Sequence, residues 1–239
     1  MPRPIIAWSY SGLTNFEGCA RRFWATKVAK IVNDSNQYNM AGDSEHKSIE
    51  GRMKRGSPLH PGIAGLEPLM QKLAAAPGQQ YVEYSMSLTQ DLKPCKWNDW
   101  DNVWVRGAGD YVKVNGARAN YWDWKSGKVR ELNEDQIDLT ALLIFQHFPE
   151  VEEVTGALVY YRHGHITPPV TVNRSAAGVL WNGFISRVKE MEQAKLQDNW
   201  PTNPHPLCGW CAYLQCPFNK VAEREAAEAQ GLKWKWKPN

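Results

Sequence analysis

Apolar residues recur at helical spacing from Ser9 to Lys27, where Leu13, Phe16, Ala20, Phe23 and Trp24 share a face and Ser9 can cap the first turn. This predicts a helix with Cys19 on it. A polar, turn-like stretch from Asn33 to Asn39 leads into a second helical pattern, carried by Met40, His46, Ile49 and Met53, that ends near Gly56. Ser57-Pro58 then breaks the chain. Ile63, Leu66, Leu69, Met70 and Leu73 predict a third helix, from Ile63 to Ala75, closed by Pro77-Gly78.

Beyond that point the period switches to two. From Tyr81 to Leu88, Val82, Tyr84, Met86 and Leu88 alternate with Tyr81, Glu83, Ser85 and Ser87, which predicts a strand with those two faces. Val103 to Val114 and Ala117 to Lys125 flank Asn115-Gly116 and predict a hairpin with a tight turn. Asn133 and Gln136 have capping-box spacing and start a helix that runs to about His147. Two later strands, Val154 to Tyr161 and Val170 to Asn173, precede a long amphipathic helix from Ser175 to Gln197 bearing Val179, Leu180, Phe184, Val188 and Met191. The order of helices, three strands, helix, strands and helix predicts an α/β layered fold and not a regular βαβ repeat.

The chain has 239 residues, 43% hydrophobic and 22% charged, which suits one substantial core or two small ones and excludes a wholly disordered protein. No apolar run approaches the roughly 18 residues of a membrane span. The stretch from Met1 to Tyr10 lacks a basic n-region and an apolar h-region, so a soluble, cytoplasmic protein without a membrane partner is expected. In a reducing compartment its five cysteines point to a metal or cluster and not to disulfides, and the odd count implies a leftover. There is no internal repeat. Leu207 to Asn239 differs in character, with three close cysteines, an Ala/Glu-rich helix from Lys220 to Gln230 and a tail of alternating Lys and Trp from Lys233 to Lys237.

A net charge of +3 is too small to signal a nucleic-acid partner by itself. Local basic groups matter more. Arg21-Arg22, the group Lys47, Arg52, Lys54 and Arg55, and the tail can each meet phosphates, and Trp234 and Trp236 can stack on unpaired bases or simply pack.

The hairpin carries the sharpest chemistry. Asp110 lies on its first strand, and Asp123 and Lys125 share a face of the second. A tight turn can bring Asp110 and Asp123 together, where they repel unless a cation sits between them, and oxygen ligands suit a divalent ion. Lys125 beside such an ion can orient a water and stabilise charge developing on a phosphoryl oxygen. An alternating charged face exposed to water is the plainer alternative, but Tyr111, Val112, Val114, Tyr121, Trp122 and Trp124 surround these charges with apolar surface.

These residues resemble the PD-(D/E)XK nucleases, in particular their RecB-like branch. His46, in Gly42-Asp-Ser-Glu-His46, resembles that branch's metal-ligand histidine; Gly107-Ala-Gly-Asp110 resembles its G-x-x-D motif. Asp123-Trp-Lys125-Ser-Gly127 is similar to its D/E-x-K motif with a small turn after it, and Gln136 to the glutamine of its Q-x-x-x-Y motif. Thr140 stands where that motif has tyrosine. The resemblance implies a restriction-endonuclease-like mixed sheet flanked by helices in a single domain over residues 1–239. It also implies Mg²⁺ or Mn²⁺ held by His46, Asp110, Asp123 and the Trp124 carbonyl, with Lys125, Asp110, Asp123 and Gln136 as catalytic residues. Without it, His46 suits a core edge and Gln136 a helix cap equally well.

Cys208-x2-Cys211-x4-Cys216-Pro217 is compact enough for three thiolates to reach one centre, and Cys19 or Cys95 can supply a fourth. The resemblance selects Cys19, because the same branch, including CRISPR-associated members, pairs an upstream cysteine with a C-terminal triplet around a [4Fe-4S] cluster. Cys95 is then the leftover. Spacing alone leaves zinc open. Such a centre would join residues 1–30 to 205–239 as one module and act as a staple, closing about 190 residues for roughly 5 kcal/mol on a chain-entropy estimate. The expected activity is hydrolysis of DNA, by an exonuclease preferring single strands or free ends, in recombination, repair, phage replication or CRISPR adaptation. A separate helicase or recombination protein would be its partner, since no G-x-x-x-x-G-K-[ST] is present. The alternative is a DNA-binding or partner-docking module that keeps the fold and has lost the chemistry.

Overall fold

The computed structural model describes residues 7–33 and 37–237, the side chains of 37–41 excepted. Met40 as a core residue, and much of the turn expected at Asn33 to Asn39, lie outside the described residues. In chain order the elements are α1 (Tyr10–Gly18), α2 (Ala20–Phe23) with a π turn (Trp24–Val28), α3 (Gln37–Arg55), a 3₁₀ turn (Pro61–Leu66), α4 (Glu67–Ala75), and strands β1 (Gln79–Thr89), β2 (Val103–Asn115) and β3 (Arg118–Lys125). There follow α5 (Asp135–His147), β4 (Glu153–Tyr160), β5 (His165–Ile166), β6 (Val170–Asn173), α6 (Ala177–Leu196) and α7 (Val221–Ala229).

The chain divides into two compact units, one of Ser11–Ser35 with Ser186–Asn239, the other of Ile6–Tyr10 with Asn36–Ile185. The larger unit holds a six-stranded mixed sheet ordered β1-β2-β3-β4-β5, with β6 also paired to β4. Only the β3–β4 pair is parallel, and α5 makes the crossover between them. On one face, Ile49 and Met53 of α3, Ile63 and Leu66, and Met70 and Leu73 of α4 pack on Tyr111, Trp124 and Val159 of the sheet. On β3 the two-residue pleat turns Tyr121 and Asp123 to the other face, under α5, where the Tyr121 ring lies against Gly156 beside Ile137. The interior of α5 is buried nearly all round, from Ile137 to Phe145. That explains its almost continuous apolar sequence.

Four expectations are corrected. The single helix from Ser9 to Lys27 is two, because Gly18-Cys19 interrupts it: Cys19 is extended (φ −167°, ψ 108°) and precedes α2 as its N-cap, and the free Arg21 amide finds the Pro201 carbonyl at 3.0 Å. Strand β1 does not keep its alternation, because Glu83 adopts a left-handed φ of 53°. Tyr84 therefore joins Tyr81 against Phe148, their rings 5.1 Å apart, while Val82 packs on the α3/α4 core. On α6, Val179 is 76% exposed and Trp181 is buried, so the inward stripe is Trp181, Phe184, Val188 and Met191. The hairpin loop is Gly116-Ala117, since Asn115 still pairs with Arg118; Gly116 takes φ 59°.

Lys113 is buried, and its ammonium donates to the Leu73 and Ala74 carbonyls at 3.2 and 3.1 Å, satisfying the end of α4 with a cation. The chain then turns at Gly78, whose φ is 111° and where a Cβ would stand 2.4 Å from the Val114 carbonyl. Gly78→Ala meets both strain and collision. It is expected to lower stability by about 2 kcal/mol or more in urea unfolding, whereas Gly65→Ala, with open space around it, changes little.

Candidate active site

The hairpin register decides where the acids meet. Pairing between β2 and β3 runs to Tyr111↔Trp122, so Asp110 and Asp123 fall opposite each other on the next rung; the β1–β2 register puts Glu83 opposite Asp110. Three carboxylates from neighbouring strands thus come close together where the regular ladder is interrupted. At this rung the ladder gives way to side-chain bonding, the Trp124 amide donating to Asp110 Oδ2 at 2.8 Å.

Helix α3 supplies a base to this row. His46 Nε2 lies 3.1 Å from Asp110 Oδ2 and its Nδ1 3.5 Å from Glu83 Oε1. His46, Glu83 and Asp110 each present a ligand atom within 4.8 Å of the others, a set able to hold a metal ion. Sequence reasoning placed Glu83 with Tyr81, Ser85 and Ser87 on one face of a strand and did not assign it to the site. Its left-handed backbone, which alternation cannot anticipate, turns the carboxylate into the site. Glu83 is the one charged residue of the strand, and that was the available signal.

Asp123, Lys125 and Gln136 form the second half. Asp123 is 5% exposed, and its Oδ1 accepts from the Tyr121 hydroxyl at 2.8 Å and the Gln136 amide at 2.6 Å. The Lys125 ammonium donates to Gln136 Oε1 at 2.9 Å and forms an ion pair with Asp123 Oδ2 at 2.5 Å. That oxygen has a charged neighbour and no hydrogen bond, as does Glu83 Oε1. Asp123 falls outside the group of three potential ligands. Gln136 reaches into the site and does not cap; the N-cap of α5 is Glu134 and not the expected Asn133, which sits one residue earlier and accepts from the Asp135 amide at 3.0 Å. Thr140 is buried, its hydroxyl donating to the Gln136 carbonyl at 2.8 Å.

The electrostatics follow from burial plus like charge. Glu83 is pushed up to about 7, first by burial and then by Asp110, with His46 pulling the other way. Asp123 is raised by burial and Asp110, and Lys125 opposes this. His46 is raised to about 8, mainly through its hydrogen bond to Asp110.

In the smaller unit, Cys19, Cys208, Cys211 and Cys216 line one cavity. The His205 amide faces Cys208 Sγ at 3.5 Å, and Asn219 ties the loop by donating to the Cys211 and Tyr213 carbonyls at 2.8 and 3.0 Å. Burial pushes the Cys211 thiol up, and the charges of Cys216 and Cys19 add to the shift. Among the described residues no three cysteine sulfurs lie within 4.8 Å of one another. Cys95 lies apart, its backbone bonded to Ser87 of β1.

One of the basic groups is partly used internally, and a tryptophan of the tail packs. Arg52 forms an ion pair with Glu67 and Lys54 with Glu50, and the Trp234 ring sits against Gly209 and edge-on to Trp210 at 5.3 Å. Trp234 thus packs, the second of the two uses open to it from sequence.

His46 and Glu83 bind protons more tightly folded than unfolded, so the stability they contribute is full at low pH and lost as pH rises, through about 7 for Glu83 and about 8 for His46. In EDTA, the Tm is expected to fall from pH 5.5 to 8.5 by thermal unfolding. Glu83→Gln, which cannot ionise, is expected to flatten that fall.

The family model described as the PD-(D/E)XK nuclease superfamily matches residues 64–216, a span that includes Glu83, Asp110, Asp123, Lys125 and Gln136. No curated protein matches the chain. Among solved structures, a "putative exonuclease" from Eubacterium rectale is similar at a TM-score of 0.50 and 10% identity, covering 98% of this chain and 90% of that one. The likeness is one of fold. The crystal structure of SSO0001 gives a TM-score of 0.39 at 12% identity over 89% of this chain and 87% of its own, too loose to bear on the fold. The family match takes in well over half of the 239 residues and both halves of the carboxylate site, apart from His46, and the chain belongs to the PD-(D/E)XK nuclease superfamily.

Proposed function

We propose that the chain is a divalent-metal-dependent deoxyribonuclease of the RecB-like branch, an exonuclease acting on single-stranded DNA or DNA ends. The observation that carries this reading is the Lys125–Asp123–Gln136 group beside His46, Glu83 and Asp110. The donor set fits Mg²⁺ or Mn²⁺, being hard carboxylate oxygen with one imidazole, and two buried carboxylate oxygens lack a hydrogen bond. His46, Glu83 and Asp110 would hold the ion, with Asp123 and the Trp124 carbonyl as further ligands. A bound ion would polarise a phosphoryl oxygen and acidify a water.

The chain's own residues supply the rest. Asp123 draws the Lys125 ammonium toward the acids, and Gln136 fixes both by donating to one and accepting from the other. So held, Lys125 can direct a proton to a phosphoryl oxygen or hold the attacking water without reorganising. Recombination, repair, phage replication and CRISPR adaptation are the settings in which such an activity is used by the branch it resembles.

Lys125→Ala is expected to slow Mn²⁺-dependent cutting of end-labelled single-stranded DNA by about 10²-fold or more. The same substitution should leave folding intact by circular dichroism. Equal traces of cutting from both proteins would leave a DNA-binding or docking module as the reading.

The cavity lined by Cys19, Cys208, Cys211 and Cys216 supports a structural [4Fe-4S] centre. Protein prepared without oxygen should be brown and contain iron and sulfide, and Cys208→Ser should lose both. Stoichiometric zinc without iron would replace the cluster by zinc.

A further inference from the structure

The β1–β2 connection carries an aromatic surface outside the site described above. Trp97 and Trp100 are 40% and 67% exposed, and the Arg106 guanidinium lies over both rings, 5.0 and 4.5 Å from their centroids. Two indoles left open on one short loop are unusual for surface packing, where burial of a ring of this size is favourable. The cation between them is also unspent. Among the described residues Arg106 has no ion pair, and partial burial alone acts on its pKa, downward. Two of the loop's own acids are occupied elsewhere: Asp91 pairs with Lys93, and Asp99 accepts from the Asn102 amide at 2.9 Å.

A half-desolvated guanidinium flanked by flat π faces matches one kind of ligand closely, a phosphate next to an unstacked base. Placement agrees with this. Arg106 begins the run of β2 that reaches Asp110 four residues later, about 13 Å along the strand, a distance spanned by a few nucleotides. We propose that Trp97, Arg106 and Trp100 form a binding platform for unpaired DNA, on which bases stack while the backbone continues toward the carboxylate site. This rests on the nuclease reading for its direction of travel and extends it by naming where the strand is held. A duplex, whose base faces are already stacked, offers the indoles nothing comparable.

The test measures anisotropy of a labelled oligothymidylate in EDTA with the full chain. Trp100→Ala and Trp97→Ala are each expected to weaken binding about tenfold. Arg106→Ala should lower the slope of log affinity against log salt by about one, and Arg106→Lys should restore it. Hydrolysis of thymidine 5′-(4-nitrophenyl phosphate) with Mn²⁺ is expected to match wild type in all these variants, since so small an ester does not reach the loop. Wild-type affinity for oligothymidylate in both tryptophan variants would overturn the platform, as would an equal loss of affinity for a blunt duplex. Failure of the wild type to cut end-labelled single-stranded DNA with Mn²⁺, with tryptophan-dependent binding intact, would sink the nuclease reading and keep the platform.

Discussion

Much of this molecule is arranged around one electrostatic constraint: Glu83, Asp110 and Asp123 lie close together on the neighbouring strands β1, β2 and β3. Removing even one unpaired carboxylate from water costs several kcal/mol, and three in a row add mutual repulsion. The fold answers with a cation at each end of the row. His46 comes from α3 to Asp110 and Glu83, and Lys125 stands beside Asp123 on its own strand. Even so, two oxygens stay without hydrogen bonds, and Glu83 and Asp123 lie above the usual carboxylate pKa range. A site so under-compensated is poorly suited to stabilising a fold and well suited to receiving a positive charge.

Holding that row in place explains the surrounding packing. Helices α3 and α4 bury Ile49, Met53, Met70 and Leu73 on one sheet face, which fixes His46 over Asp110. On the opposite face α5 sits deep enough that Gln136 meets Asp123 from above. Close approach depends on small residues: a Cβ on Gly107 would stand 2.5 Å from Leu143, and one on Gly42 2.8 Å from Ser126, just after Lys125. The Arg162–Glu45 ion pair at 2.7 Å ties α3 to the end of β4 next to the histidine.

The aromatic residues divide into separate uses. Trp8, Trp104 and Trp181 form a buried cluster beside the sheet, Trp122 and Trp124 back the hairpin against α3 and α4, and Trp200 packs with Phe16 and Phe23 in the smaller unit. Trp210 and Trp234 brace the loop that bears the cysteine triplet. Trp97 and Trp100 differ from all of these in facing solvent with a cation between them. A high tryptophan count therefore reflects at least two different demands, core volume and exposed π surface.

Periodicity and punctuation alone determined most of the elements, because each rests on local physics: the 3.6-residue stripe of α4 and α6, the two-residue pleat of β3, and the turn at Gly116. The hairpin acids and Lys125 were legible for the same reason, since pleat and tight turn set their relative positions without reference to the rest of the chain. Glu83 was not. Its role depends on a left-handed backbone torsion, and such a torsion costs energy locally and persists only when surrounding contacts hold it, so no local pattern encodes it. Likewise Gln136 has the spacing of a cap and the contacts of a site residue, because α5 lies across β3 and brings its side chain to Asp123 before it can turn back. The split of the first helix at Cys19 and the outward turn of Val179 also follow from tertiary partners, the Pro201 carbonyl and the buried Trp181. Sequence thus determined which groups were available and that the hairpin brings Asp110 and Asp123 near each other; only packing decided that Glu83, His46 and Gln136 join them, because that depends on contacts between residues far apart in the chain.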